Sequence, residues 1–152
     1  MKAVIGISAL FLALAAPAYS QAVIDLTAFQ NGNCAAFGSD WSEFAYDGVS
    51  NITFCKRISL SVPAQSVIDV EGLYPGNLFS CANKFGAGWS DFAYDGTANV
   101  RFCKKVGSTA GGYVSDMSAV MGNGTCEHLA GRGWDTVVYN GRSNISFCAK
   151  FK

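Results

Sequence analysis

One set of residues recurs three times along the chain: a tryptophan, a tyrosine five residues later, Asp-Gly or Asn-Gly directly after it, and then an asparagine. The members are Trp41, Tyr46, Asp47 and Asn51; Trp89, Tyr94, Asp95 and Asn99; and Trp134, Tyr139, Asn140 and Asn144. These residue types suit sugar recognition. A sugar presents an apolar C–H face that an aromatic ring can cover, and hydroxyls that a carboxylate or carboxamide can bond. Three equal weak sites would add avidity on a polyvalent surface. The expectation is a non-enzymatic, carbohydrate-binding, lectin-like protein with these residues as ligand contacts. The same residues also have a structural use, since a small unit buries its aromatics and a tight turn demands Asp-Gly or Asn-Gly. The competing expectation is therefore a structural or protein-interaction module, such as an adhesion component, toxin or inhibitor, that meets a cell-surface protein and has no sugar site.

Other chemistry is thinly represented. The single histidine, His128, stands beside Glu127 in the segment CEHLAG, and the other two copies have neither residue. It reads as a solvent-facing pair on a helical turn rather than an acid–base couple. No Gly-x-Ser-x-Gly elbow, P-loop or His-Glu-x-x-His motif occurs. No catalytic residue, cofactor or metal is expected. Zinc fails on cysteine spacing, and Asp25, Asp69 and Asp116 are too isolated for a calcium loop and read as helix caps. The bases Lys56-Arg57, Lys104-Lys105 and Lys150/Lys152 could form a threefold anion site, although strand ends of this kind are ordinarily solvated. Eleven basic against eleven acidic side chains offer no electrostatic case for nucleic acid or an anionic membrane.

The elements that must position these residues are repeats. Residues 41–56 and 89–104 are identical at eleven of sixteen positions, and the stretch from Trp134 matches the first copy at eight. With Cys34, Cys81 and Cys126 upstream, the copies span about 23–60, 67–108 and 114–152, joined by Ser61–Ser66 and Gly107–Tyr113. The Trp-to-Tyr run, the Asp-Gly or Asn-Gly pair and the following β-branched run predict a hairpin in each copy. On its second strand Ile52, Phe54 and Ile58 share a face predicted to be buried, as do Val100, Phe102 and Val106, and Ile145, Phe147 and Phe151. The i,i+3 pairs Leu26/Phe29, Val70/Leu73 and Met117/Val120 follow an aspartate and predict a helical turn.

Six cysteines allow fifteen pairings, of which three keep the repeat symmetry. Pairing within copies is favoured: Cys34–Cys55, Cys81–Cys103 and Cys126–Cys148, each loop worth about 3 kcal/mol in the chain-entropy model. The fold class is mainly β: three pseudo-equivalent, disulfide-stapled hairpin repeats with short helical turns. Either they close into a pseudo-threefold, β-trefoil-like domain or they stand as three tandem modules.

Residues 1–20 read as a signal peptide, with Lys2, the apolar run Ala3–Ala16 and small residues at Ala18 and Ser20. The run is too short to span a bilayer. Residues 21–152 then form a single secreted domain, extracellular or, in a Gram-negative bacterium, periplasmic. Loss of Lys2 leaves it a net charge of −1, and disulfides suit that destination. Sequons fall at Asn51, Asn123 and Asn144. Asn99 holds the same repeat position without one, so the repeated asparagine has a reason other than glycosylation.

Overall fold

The computed structural model describes residues 20–152, so the segment read as a leader lies outside the described residues except for Ser20. Each copy forms one three-stranded antiparallel sheet. Copy 1 holds β1 (Ala22–Gln30), β2 (Trp41–Asp47) and β3 (Ile52–Ser59); copy 2 holds β4 (Gln65–Leu73), β5 (Trp89–Asp95) and β6 (Val100–Ser108). Copy 3 holds β7 (Val114–Met121), β8 (Trp134–Asn140) and β9 (Ile145–Phe151). The last strand of each copy lies between the other two, in the orders β1-β3-β2, β4-β6-β5 and β7-β9-β8. Among the described residues the strands pair only within their own copy. No closed barrel is seen among the described residues, and each copy holds three strands where a β-trefoil asks for four.

The first strand of each copy corrects the helical reading of the pairs Leu26/Phe29, Val70/Leu73 and Met117/Val120: Leu26, Val70 and Met117 enter the interior, whereas Phe29 packs on Phe37 and Leu73 beside the disulfide. The register of that strand slips between Val23 and Asp25, between Val67 and Asp69, and between Val114 and Asp116. A bulge adds one residue to a two-residue period, so Val23 and Leu26, Val67 and Val70, and Val114 and Met117 all point inward at a spacing of three. Asp25, Asp69 and Asp116 are not helix caps. Each accepts, through Oδ1, the N–H of the next residue, at 2.8, 2.9 and 2.8 Å. The short helices lie instead at the first cysteine of each copy: a 3-10 turn at Cys34–Phe37, α1 (Cys81–Phe85) and α2 (Cys126–Ala130).

The disulfides are those expected: Cys34–Cys55, Cys81–Cys103 and Cys126–Cys148, with Cα–Cα separations of 5.5, 5.5 and 5.7 Å. Each ties a helical turn across the outer face of its sheet. In copy 2, Leu73, Phe85 and Trp89 pack around the bridge as a small satellite core.

The inner faces of the three sheets share one interior. Phe54, Phe102 and Phe147, all essentially inaccessible, meet edge to face with centroids 4.8, 4.7 and 4.8 Å apart. Three nearly equal distances make a pseudo-threefold axis, and each pair adds roughly 0.5–1.5 kcal/mol beyond its buried area. A second apolar layer follows, of Val23, Leu26, Val67, Val70, Val114, Met117 and Ala149. The predicted buried face is right at Ile52, Phe54, Val100, Phe102, Ile145 and Phe147, and Ile58 is half-buried. It is wrong at Val106 and Phe151, 44% and 37% exposed, because the strand ends run past the last buried layer.

Two lysines join the copies within that inner face. Lys56 shares a strand face with Phe54, and its Nζ donates to Asp116 Oδ1 at 2.5 Å and to the Met117 carbonyl at 2.8 Å. Lys104 repeats this with Asp25 and the Leu26 carbonyl. These bases therefore belong neither to an anion site nor to solvated strand ends. The third equivalent is Ala149, fully buried. Its counterpart Asp69 makes no ion pair among the described residues. Nearby, burial and then the charge of Asp69 push the Glu71 carboxyl above its usual range.

Candidate functional site

The hairpin turns are built alike in the three copies. Asp47 Oδ1 accepts the N–H groups of Val49 and Ser50 at 2.9 and 3.3 Å, Asp95 Oδ1 those of Thr97 and Ala98 at 2.9 and 3.2 Å, and Asn140 Oδ1 those of Arg142 and Ser143 at 3.1 and 3.3 Å. Each turn closes on an asparagine in the left-handed region: Asn51, Asn99 and Asn144 have φ of 54°, 58° and 57°. Asparagine tolerates this conformation better than most residues. Its side-chain Oδ1 accepts the hydroxyl of the copy's tyrosine, from Tyr46 at 2.8 Å, Tyr94 at 3.1 Å and Tyr139 at 2.9 Å. Asn51 and Asn99 also donate from Nδ2 to Asn31 and Asn77. The repeated asparagine thus has a use independent of any sequon.

Asp47, Asp95 and Asn140 have no accessible surface and converge on the axis. Asn140 Nδ2 donates to Asp47 Oδ2 at 2.9 Å and to Asp95 Oδ2 at 2.7 Å, so one amide bridges two carboxylates. Ser50 Oγ of copy 1 donates to Asp95 at 2.5 Å. Burial alone would raise the Asp95 carboxyl. The bonds from Ser50, Ala98, Asn140 and Thr97 outweigh it, and its pKa falls below the usual carboxylate value.

The candidate residues therefore separate. Asp47, Asp95 and Asn140 face the interior and are not offered to solvent. Each tryptophan stands at the start of its strand and each tyrosine five residues on, roughly 16 Å away at strand rise. Trp41 and Trp89 pack on Phe37 and Phe85 of the helical turns, with centroids 5.5 and 4.9 Å apart. Trp134 lies under Lys150 Nζ at 5.8 Å and lines a separate hollow with Asp116 and Lys152. The tyrosine and asparagine stay together, and the tyrosines are 51%, 41% and 39% exposed.

The structure also gives each tyrosine a setting that no single copy contains. Edge strands of adjacent sheets approach without pairing, and an open cleft lies between them. The cleft between copies 1 and 2, about 300 Å³, is lined by Phe29, Gln30 and Ser50 on one side and Tyr94, Gly96 and Thr97 on the other. The cleft between copies 2 and 3, about 350 Å³, has Tyr74, Ala98 and Val100 facing Tyr139, Gly141 and Arg142. Between copies 3 and 1 it shrinks to about 110 Å³, where Ala119, Val120 and Met121 meet Ala45 and Tyr46. The first two reach the lower end of ligand-pocket volumes, roughly 300–1,000 Å³.

Sequence reasoning within one copy missed the opposite wall of each cleft, because that wall comes from the neighbouring copy. The available signal was variation between copies at equivalent positions, such as Val49, Thr97 and Arg142. Glu127 and His128 are exposed on α2 and line none of the three clefts. One cluster of potential metal ligands, Cys81, Asp91 and Cys103, is already engaged. Its sulfurs share a disulfide, and Asp91 accepts the Cys81 N–H at 2.8 Å and pairs with Arg101. No family model, curated protein or solved structure matches the chain.

Proposed function

We propose that the protein is a secreted, non-enzymatic carbohydrate-binding protein whose sites are the clefts between copies. The observation that carries this reading is the threefold recurrence of a cleft bearing one exposed tyrosine whose hydroxyl is held by an asparagine. The ring offers an apolar surface to a sugar's C–H face, while the tyrosine hydroxyl, oriented by the asparagine, and the turn backbone supply polar partners. Three related clefts on one rigid unit favour a polyvalent glycan surface. The three disulfides accord with an oxidising destination. Among the described residues no helix is long and apolar enough to cross a membrane. The functional unit is the closed threefold assembly rather than three tandem modules, because the interior is shared between copies.

A glycan array tests the reading. The wild-type chain should bind a defined glycan set, and the combined Tyr46→Ala, Tyr94→Ala and Tyr139→Ala variant should lose it at unchanged circular dichroism. Absence of binding to every glycan, or full binding by the folded triple variant, would remove the proposal. Alanine at Asp47, Asp95 or Asn140 is not a test, because those side chains hold the axis.

A second reading has its own observation. Copy 2 alone carries a longer loop before its first cysteine, and Tyr74, Leu78 and Phe79 are 72%, 62% and 48% exposed on it. An unrepeated apolar patch suits a protein partner. If the protein acts by that route, Leu78→Ser with Phe79→Ser abolishes function while the tyrosine variants leave it intact.

A further inference from the structure

We infer that the cleft between copies 2 and 3 is specialised for an acidic sugar, whose carboxylate or sulfate is held by Arg142 while its ring lies against Tyr139 and Tyr74. This rests on the sugar-binding reading and adds to it a ligand class and a single preferred site.

The three clefts share a scaffold, and two of the wall positions at which they differ bear on a charged ligand. Where this cleft has Arg142, the equivalents are Thr97 and Val49; where it has Tyr74, they are Gln30 and Met121. It is thus the cleft lined by two tyrosines and by an arginine; the guanidinium of Arg101 lies 4.9 Å from the Tyr94 ring centroid but is held by Asp91 and lines none of the three clefts. Of the other three arginines, Arg57 pairs with Asp40 and Arg101 with Asp91, and Arg132 lies in the turn before β8 and lines none of the three clefts. Arg142 makes no ion pair among the described residues, and no acidic residue lines the cleft. Its backbone N–H is fixed by Asn140 Oδ1 at 3.1 Å, so the root of the side chain is held in the turn while its end is uncommitted. The two buried carboxylates at the axis lie behind this turn, but neither forms an ion pair with Arg142. A planar guanidinium bonds a carboxylate or sulfate through parallel N–H groups, and such charge-assisted bonds are about twice as strong as neutral ones.

The experiment is an array of sialylated, glucuronidated and sulfated glycans, each printed beside its uncharged parent, followed by titration of the best pair. The wild-type chain should prefer the charged member by about tenfold or more, and the preference should weaken with salt. Arg142→Gln should reduce the charged glycan to the affinity of its parent and leave the parent unchanged. The array separates the sources: a preference confined to sialylated and glucuronidated members identifies a carboxylate and one confined to sulfated members a sulfate, and Arg142→Lys, which loses the fork, should weaken either. Thr97→Arg, which places the guanidinium in the cleft between copies 1 and 2, should add a second acidic-sugar site per chain. It also protects the test against a folding defect at position 142. Equal binding of charged and neutral members overturns this inference and leaves the sugar-binding reading standing, as does an Arg142→Gln variant that keeps the preference. Binding of neither removes both.

Discussion

On the turn side of the phenylalanine triad the axis holds Asp47, Asp95 and Asn140. On its other side the equivalent positions of the central strands are Lys56, Lys104 and Ala149. Both sets depart from threefold identity, and both do so in copy 3. The geometry of the two sets differs. The turn residues converge and touch one another, whereas each lysine reaches outward to an aspartate of the neighbouring copy. Convergence works against three identical carboxylates: within bonding distance and away from water they cannot all be ionised, and one carboxamide supplies the two N–H groups that bond the other two. Divergence merely permits asymmetry, since dropping one lysine affects one interface.

The sharpest way to break this comparison is Asn140→Asp. A third buried carboxyl should cost about 3 kcal/mol or more at neutral pH, and the slope of stability against pH should reverse. In the wild-type chain Asp95 titrates below its unfolded value. Its contribution is therefore present above the ordinary aspartate pKa, near 4, and is lost as pH falls through the folded value. In the variant the crowded carboxyls hold a proton when folded, so stability is best preserved in acid and falls as pH rises. Thermal melts from about pH 3 to 7 read the sign, and parallel curves would refute the account of the axis.

A middle-sized effect is expected where the sheets face one another. The facing residues are Ala28 and Ala93, Ala119 and Ala45, and in the remaining interface Gly72 and Val138. A Cβ on Gly72 would fall 2.2 Å from Val138 Cβ. Gly72→Ala should therefore cost about 2 kcal/mol by overpacking. Val138→Gly, which removes the clashing Cβ itself, should cost less on the Gly72→Ala background than in the wild-type chain. A double-mutant cycle in denaturant measures the coupling, and simple additivity would show that the two residues do not share the space.

The smallest effect concerns the outward lysines. Lys104→Ala copies the third interface onto the second, and should cost about 1 kcal/mol because the Leu26 carbonyl and Asp25 lose their donor. Asp69→Asn, which removes a carboxylate already lacking a lysine, should change stability by less than about 0.5 kcal/mol. Equal losses in the two variants would mean that Asp69 has a cation after all.

Much of this fold was legible in the residues. The repeats, the hairpins, the inward phenylalanines and the disulfide pairs follow from spacing and from turn chemistry, which are local. The first strand is misread because Leu26 and Phe29 sit three apart and are both apolar, yet each serves a different face: Leu26 lies in the shared interior and Phe29 packs on Phe37 of the helical turn. The candidate site was legible in its parts but not in its grouping. Trp41 and Tyr46 are neighbours in sequence, and an extended chain carries them far apart. Asp47 looked like a turn residue and a ligand contact together, whereas its second oxygen belongs to the axis. The hints of a meeting between copies are the departures from the repeat: Asn140 against Asp47 and Asp95, and Ala149 against Lys56 and Lys104.

The joining segments, residues 60–64 and 109–113, carry a consequence of a different kind. Three identical chains arranged about such an axis would have to place the same residue there three times, all charged or all neutral. Joining the copies covalently releases them from that identity, and each position can then be selected separately. The bridging amide, the glycine opposite valine and the arginine in one cleft of three are all differences that a homotrimer could not hold. A connector of a few residues is therefore what lets a symmetric scaffold carry unequal sites.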